Sequence, residues 1–220
     1  MSITLSDIQG RDDIRAYIER ADHNTEIIGF TEHGFRHAEL TARRAYDILA
    51  ALDGNGRSAE LAAIAAYLHD IGNVAGRAIH AQAGVTIAYS ILREMGMPPA
   101  EIAEIIAAIA NHDETSGDPL GRVPAAVIIA DKSDVNRSRV RNIQPSNFDE
   151  HDRINYAAIS SDLVTDPVAS SITLRLEIDT AISSIMEYFE RFLTRMVISR
   201  RAGELLGCRF RLIINDTWLL

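Results

Sequence analysis

The sequence predicts a mainly α-helical protein that ends in a small strand–helix–strand segment. Over most of residues 1–165, apolar residues recur at three- and four-residue spacing, as they do on the buried face of a helix. Two short segments after residue 165 instead alternate apolar and polar residues, which is typical of half-buried strands. Of the 220 residues, 47% are hydrophobic and 24% charged, a composition that folds around a core without disulfides. We therefore predict a helical domain over residues 1–165, with residues 166–220 packed on it.

Caps and turn residues delimit the predicted helices. Thr4 or Ser6 caps the first helix, Ser58 caps the third, and Pro98 and Pro99 suit the first turn of the fifth. Glycines following the apolar pattern end most of the others. The predicted helices span about residues 4–18, 35–52, 58–71, 80–95, 98–111, 124–134 and 152–161.

The C-terminal segment is expected to be a β-α-β unit. Strands are predicted at 171–178 (SITLRLEI) and 208–213 (CRFRLI), and these two strands are candidates to pair. Between them, apolar residues recur at helical spacing over 182–197. The large apolar side chains of this segment include Phe189, Phe192, Met196 and Trp218. A solvated tail would carry fewer, so we expect an interface here rather than chemistry, most simply that of a homodimer.

Charge and composition narrow the class of partner. The chain has 22 basic and 31 acidic residues, a net charge of −9, which disfavours nucleic acid because phosphate backbones are held by basic surfaces. Cys208 is the one cysteine, so neither an intramolecular disulfide nor a cysteine-based zinc cage can form. The first 13 residues lack the pattern of a signal peptide, and no 18-residue window is apolar and uncharged. We expect a cytoplasmic protein without a membrane partner.

Histidines and aspartates at predicted helix ends indicate chemistry. The pair His69-Asp70 follows the apolar stretch AAIAAYL, and His112 ends the stretch IIAAIAN. His37 lies early in an alanine-rich helix, and Asp131 follows an uninterrupted apolar run. An unpaired buried carboxylate costs several kcal/mol, whereas imidazole and carboxylate together bind Fe, Mn or Zn. One shared metal centre explains all of these positions.

These residues carry a resemblance to a known family. His37, the pair His69-Asp70, and Asp131 in the string IIADKSD resemble the H…HD…D signature of the HD superfamily of metal-dependent phosphohydrolases. The resemblance covers about residues 20–160. It implies an HD-domain helical bundle in which these four residues bind a first metal ion, with Asp70 as a bridging carboxylate.

Two further histidines indicate the subtype. The segment HAQAGVTIAYSILREMGMPPAEIAEIIAAIANHDETSG begins with His80 and contains His112. It is similar to the binuclear branch of the superfamily, in particular to bacterial HD hydrolases related to symmetrical diadenosine tetraphosphatase. That similarity implies that His80 and His112 bind a second metal ion. The cyclic-di-GMP phosphodiesterase branch carries a His-His pair and a GYP motif. This chain has Asn111-His112 and DETSGDPLG instead, which argues against that substrate.

Besides Asp70, two residues are candidates for a direct part in catalysis. Lys132 is the only lysine among the 22 basic residues and adjoins Asp131, where its ammonium can hold a substrate phosphate or a ligand carboxylate. His33 lies one helical turn before a predicted ligand and is a candidate pocket residue. The arginines of 137–141 are candidates for a strip that faces a phosphate.

The resemblance implies a hydrolase with two divalent metal ions, of Fe, Mn or Mg, with Zn or Ni as alternatives. Its substrate would be a small nucleotide-like molecule whose phosphate ester or anhydride is cleaved by metal-activated water. Two other functions remain open at this stage. One is a di-iron oxygenase of HD-like fold, and the other is a non-catalytic sensor that binds a nucleotide.

Overall fold

The computed structural model describes residues 2–54, 56–141, 148 and 150–219. The helices of these residues are α1 Leu5–Gln9, α2 Asp12–Ile27, α3 Phe35–Asp53, α4 Gly56–Leu68, α5 His80–Glu94, α6 Pro99–Ala110, α7 Arg122–Lys132, α8 Glu150–Ala157 and α9 Ile185–Leu205. The strands are β1 Ala158–Asp166, β2 Ser171–Ile178, β3 Arg209–Ile214 and β4 Thr217–Trp218. Short 3₁₀ turns occur at Ile71–Ala75, Arg77–Ile79 and Arg137–Arg139. Among the described residues, no helix has both the length and the apolar character needed to cross a membrane.

Helix α4 lies at the centre of the bundle. Every residue from Leu61 to Leu68 is buried, and the helix packs against α3, α6 and α7. Four of these eight residues are alanine, whose small side chain lets neighbouring helices approach closely. The residues that follow α4 are therefore held inside the bundle. The mainly α-helical fold with a C-terminal β appendage is confirmed.

The sheet contains four strands in the order β1-β2-β3-β4. β1 and β2 form an antiparallel hairpin, and β2 pairs with β3 in parallel, with Leu174 opposite Leu212. Parallel neighbours need a crossover connection, which α9 provides. Because α9 also packs on α7, the C-terminal helix reaches the helical bundle as well as the sheet. The two strands that the sequence predicts do pair.

Thr4 caps the first helix as predicted, but the extent of this helix and the start of α4 were predicted wrongly. The helix expected over 4–18 is divided into α1 and α2, because a capping box between Thr4 and Asp7 starts a single turn that ends at Gly10. The chain is extended at Arg11 before α2 begins. Helix α4 begins at Gly56, so Ser58 lies inside the helix rather than at its N-cap.

The helix expected over 152–161 was also wrong in its second half. Helix α8 ends at Ala157, and β1 follows directly. Pairing with β2 and a hydrogen bond from the Ser161 hydroxyl to the Ser133 carbonyl hold this segment extended, so tertiary contacts override its local preference. Strand β1 of the sheet therefore crosses the predicted domain boundary at residue 165. The division of the chain into two domains there stays a prediction.

Candidate metal centre

Four histidine rings converge inside the bundle. His37 lies in the first turn of α3, His69 follows α4, His80 begins α5 and His112 follows α6. All four are at most 4% exposed. The Nε2 atoms of His37 and His69 are 3.2 Å apart, and those of His80 and His112 are 3.0 Å apart. The four helix ends that the sequence singled out therefore meet at one place.

Gly72 permits a close approach between the turn after α4 and helix α5. A Cβ atom at Gly72 would lie 1.9 Å from the carbonyl oxygen of His80 and 2.4 Å from the main-chain nitrogen of Gly84. No larger residue fits there without moving α5, because real Cβ contacts are never this short. Gly72 thus allows the turn after α4 to pack directly on α5. This packing brings Asp70 close to His80.

The hydrogen bonds of Nδ1 show which nitrogen carries the hydrogen in three of these rings. Nδ1 of His69, His80 and His112 lies 2.6–2.7 Å from a main-chain carbonyl oxygen in the preceding turn. A carbonyl oxygen only accepts, so Nδ1 carries the hydrogen and Nε2 of the neutral ring presents a lone pair. In the His80–His112 pair, two lone pairs therefore face each other. A cation between them satisfies both atoms, so the arrangement fits a metal ion.

Asp70 lies between the two histidine pairs. Its Oδ2 atom is 3.2 Å from Nε2 of His69 and 3.8 Å from that of His37. Its Oδ1 atom is 3.8 Å from Nε2 of both His80 and His112. Each oxygen therefore faces a different pair, which is the geometry of a bridging carboxylate.

The potential ligands form two sets that share Asp70. Oδ1 of Asp131 lies 3.4 Å from Nε2 of His37 and 3.7 Å from Nε2 of His69, so Asp131 joins that pair. We name His37, His69, Asp70 and Asp131 site 1, and we name Asp70, His80 and His112 site 2. Ligand atoms of these residues lie close enough to hold a metal ion in both sites.

The spacing of the donor atoms suits a transition metal. Metal–nitrogen bonds of about 2.1 Å place adjacent ligands roughly 3.0–3.4 Å apart in octahedral or tetrahedral geometry. Within each site the shortest distances between donor atoms are 3.0–3.4 Å. The mixture of imidazole nitrogen and carboxylate oxygen suits Fe, Mn or Zn.

Burial keeps the site 2 histidines neutral. Desolvation lowers the pKa of His112 to about 3 and also lowers the pKa of His80, because the imidazolium form loses its hydration. Both rings are therefore unprotonated at pH 7, with Nε2 available as a ligand.

The carboxylates of site 1 are ionised despite their burial. Burial alone would raise the pKa of Asp70, but the neighbouring His69, His33 and Arg77 hold it well below its usual range. The ammonium of Lys132 has the main opposing effect for Asp131, whose pKa is also held well below normal. In turn, Asp70 and Asp131 raise the pKa of His69 against its own burial. The two ionised carboxylates thus make the centre favourable for a cation.

Lys132 lies between two carboxylates. It is 4% exposed, and its Nζ atom lies 2.7 Å from Oδ2 of Asp131 and 2.5 Å from Oε2 of Glu114. Oε1 of Glu114 accepts a hydrogen bond of 3.1 Å from Nε of Arg195. Of the two contacts considered for Lys132, a ligand carboxylate is therefore the one that it makes. The sequence did not single out Glu114 or Arg195, which lie far from Lys132 along the chain.

Asp134 is a further residue that the sequence analysis missed. It is fully buried, and its Oδ2 atom accepts hydrogen bonds from Nδ1 of His37 (2.6 Å) and Nη2 of Arg36 (2.8 Å). Its position fixes the orientation of the His37 ring. The available signal was its place three residues after Asp131 in the string IIADKSD, just beyond the end of α7.

We expect Asp134→Asn to lower the metal affinity of site 1 by about 10–100-fold, because the residues that orient metal-binding histidines have effects of this size. Equilibrium metal titration measures the change. Asp118→Asn is the matched control, since Asp118 is half-exposed and pairs with Arg201 at the surface. Equal affinity in the Asp134 variant and the control would show that Asp134 does not orient a ligand.

The remaining sequence candidates lie around these sites. His33 is outside both, with its ring centroid 5.7 Å from that of His37 and its Nδ1 donating to the carbonyl of Thr31 (2.6 Å). The arginines of 137–141 do not form the expected strip. Their guanidinium groups contact the ring of Tyr156, main-chain carbonyls and a carboxylate of α2 instead.

A cavity of about 180 Å³ adjoins the two sites. It is lined by the loop 28–33 after α2, by Arg77 and Glu114, and by residues of α8 and α9, including Arg195. Nη1 of Arg77 is 3.3 Å from Oδ1 of Asp70, so a residue of the lining contacts the carboxylate shared by the two sites. Helix α9 thus lies next to the candidate site, and the expectation that the C-terminal segment serves an interface rather than chemistry stays a prediction. The homodimer stays a prediction.

Comparison with known families agrees with this geometry. The sequence model of the HD domain family matches residues 34–153, more than half of the chain. All six predicted metal ligands, His37, His69, Asp70, His80, His112 and Asp131, lie within the matched residues. No curated protein matches the chain at a significant level. The match and the converging histidines and aspartates together show that the chain belongs to the HD domain family, the superfamily of metal-dependent phosphohydrolases.

Proposed function

We propose that the protein hydrolyses a phosphate ester or anhydride of a nucleotide-like substrate, with two divalent metal ions held at sites 1 and 2. The observation that carries this proposal is Asp70, whose two oxygens face different histidine pairs. A shared carboxylate suits two-metal phosphoryl chemistry, in which both the attacking and the leaving oxygen are stabilised. Membership of the HD family supports hydrolysis.

The residues around Asp70 hold it in place for this role. Nδ2 of Asn73 donates a hydrogen bond of 2.9 Å to Oδ1 of Asp70, and Nη1 of Arg77 donates one of 3.3 Å to the same oxygen. Divalent ions at the two sites would supply Lewis acidity toward the phosphoryl oxygens and an attacking water. Arg77 extends from Asp70 into the cavity, where its charge would stabilise a phosphoryl group in the transition state.

His33 and Lys132 receive different roles in this proposal. His33 lines the cavity, and because its Nδ1 donates to Thr31, its Nε2 can accept a hydrogen bond from a substrate or water. Lys132 contacts Asp131 and Glu114 and holds the ligand carboxylate in position. It therefore acts as a positioning residue.

The first experiment is metal analysis of protein purified without a His-tag, followed by a phosphate-release screen over nucleotides. We expect Fe or Mn, with Zn as the alternative, at about two ions per chain, and release of phosphate from at least one nucleotide. Dioxygen consumption is measured in parallel. Metal-loaded protein that consumes dioxygen and releases no phosphate from any nucleotide would refute the hydrolase in favour of an oxygenase.

We expect His80→Ala and His112→Ala each to lower the stoichiometry from about two metal ions per chain toward one, because site 2 is built from both rings together with Asp70. Turnover should fall strongly in both variants, while site 1 keeps its ion. His23→Ala is the matched control, since His23 is an exposed histidine of α2. Two ions retained in both variants, or one ion in the wild type, would contradict the binuclear assignment.

A further inference from the structure

We infer that Arg195, from the C-terminal helix α9, completes a binding site for a phosphate-like oxyanion in the cavity beside sites 1 and 2. The inference rests on the proposed function and extends it. It assigns the terminal phosphate of a phosphomonoester to a defined place. It also assigns part of substrate binding to a helix outside residues 34–153, which the HD family model matches.

The guanidinium of Arg195 is held in place with two of its nitrogens available. Nε donates to Oε1 of Glu114 (3.1 Å), and the guanidinium carbon lies 4.2 Å from the centroid of the Phe192 ring. Its Nη1 and Nη2 atoms make no hydrogen bond to any described residue, and the side chain is 20% exposed. An oriented guanidinium that presents paired N–H groups matches the geometry of phosphate oxygens.

The charges around the cavity favour an anion. Arg77 contributes a second guanidinium to the lining, next to the bridging carboxylate of Asp70. Glu114 is the acidic residue of the lining, and it already contacts the ammonium of Lys132 at 2.5 Å. Asp131, Lys132, Glu114 and Arg195 thus form a row of alternating charges. The row runs from site 1 and ends at the cavity with a cation.

The size of the cavity limits what enters it. Its volume of about 180 Å³ is below the range of roughly 300–1,000 Å³ that pockets for drug-sized ligands occupy. A phosphoryl group with a few neighbouring atoms fits, whereas a whole nucleotide does not. The rest of the substrate then lies at the mouth, where Ile28 and Phe30 are 54% and 42% exposed and offer an apolar surface. This arrangement favours a terminal phosphate on a molecule with an apolar or planar part.

The test is the binding of inorganic phosphate to the full-length, Mn²⁺-loaded protein, measured by isothermal titration calorimetry. We expect Arg195→Gln to weaken phosphate binding by at least about tenfold, as loss of a hydrogen bond to a charged group does. Its metal stoichiometry should stay that of the wild type. Arg201→Gln is the matched control, because Arg201 lies on the same helix but pairs with Asp118 at the surface. It should bind phosphate normally.

Arg195→Lys tests the geometry and also covers a failure of the glutamine variant to fold. The lysine ammonium can still contact Glu114 but offers no paired Nη groups, so we expect phosphate binding to weaken several-fold. Wild-type phosphate affinity in either variant would overturn the inference, as would the absence of phosphate binding to the wild type.

This assay does not depend on turnover, so the two proposals fail separately. If no nucleotide is hydrolysed but phosphate binding depends on Arg195, the proposed function fails and the oxyanion site stands. If nucleotides are hydrolysed and the affinity for phosphate does not depend on Arg195, the oxyanion site fails and the proposed function stands.

Discussion

Asp70→Ala should abolish hydrolysis and lower metal affinity at both sites by more than about 100-fold. Loss of a residue that merely orients a ligand costs about 10–100-fold, and Asp70 faces both histidine pairs directly. Every other predicted ligand is assigned to one site, so its removal should leave the other site occupied. Metal analysis and the phosphate-release assay measure the two effects.

The fold should survive this change. The Asp70 side chain is buried among other ionised groups, and its main hydrogen bond from Asn73 is duplicated by one from the same amide to the Asp70 carbonyl oxygen. Circular dichroism of the metal-free variant should therefore match that of metal-free wild type. Asp118→Ala serves as the surface control. Wild-type turnover with two bound ions in Asp70→Ala would refute the assignment of the bridging carboxylate.

Lys132→Met should lower the free energy of unfolding of the metal-free protein by about 3–5 kcal/mol, the usual cost of removing one partner of a buried ion pair. The ammonium is buried between Asp131 and Glu114, and its removal takes the nearest cation from both carboxylates, although Glu114 keeps its contact with Arg195. Urea unfolding measures the change. The loss should be smaller with metal present, because a metal ion then compensates Asp131.

A double variant identifies the cause of this destabilisation. Glu114→Gln removes one of the two buried carboxylates that lose the ammonium, so Lys132→Met/Glu114→Gln should be more stable than Lys132→Met alone. Lost packing of the lysine stem would instead leave the two variants equally stable. Full stability in Lys132→Met would contradict the buried position of the ammonium.

The helices were predictable because their information is local. Apolar spacing and caps identified α3, α5, α6 and α7 to within about two residues, and alternation identified β2 and β3. Strand β1 was missed because it pairs on one side only and is partly exposed on both faces, with Val164 48% exposed. Its alternation is weak, and pairing with β2 makes it a strand.

Some residues of the candidate site were likewise predictable from local sequence, and others were not. His69 and Asp70 could be identified from the sequence because they are polar residues that follow an apolar helix, and the same holds for His112 and Asp131. Glu114 and Arg195 carry no such signal, because charged residues are ordinary in loops and on helix surfaces. Arg195 reaches the centre only because α9 packs on α7, and Glu114 meets Lys132 only because the loop after α6 lies against the end of α7. Contacts between residues so far apart along the chain depend on the tertiary fold.

The burial of Lys132 has a consequence for proteolysis. It is the only lysine of the chain and is 4% exposed, so the folded protein offers a lysine-specific protease no accessible site. Cleavage after Lys132 requires the end of α7 to unfold locally, and that opening dismantles the Asp131 side of site 1. When opening and closing are fast, the cleavage rate follows the population of the open form. Metal ions that bind only the closed form reduce this population in proportion to their affinity. A single peptide bond thus reports how tightly the centre is closed.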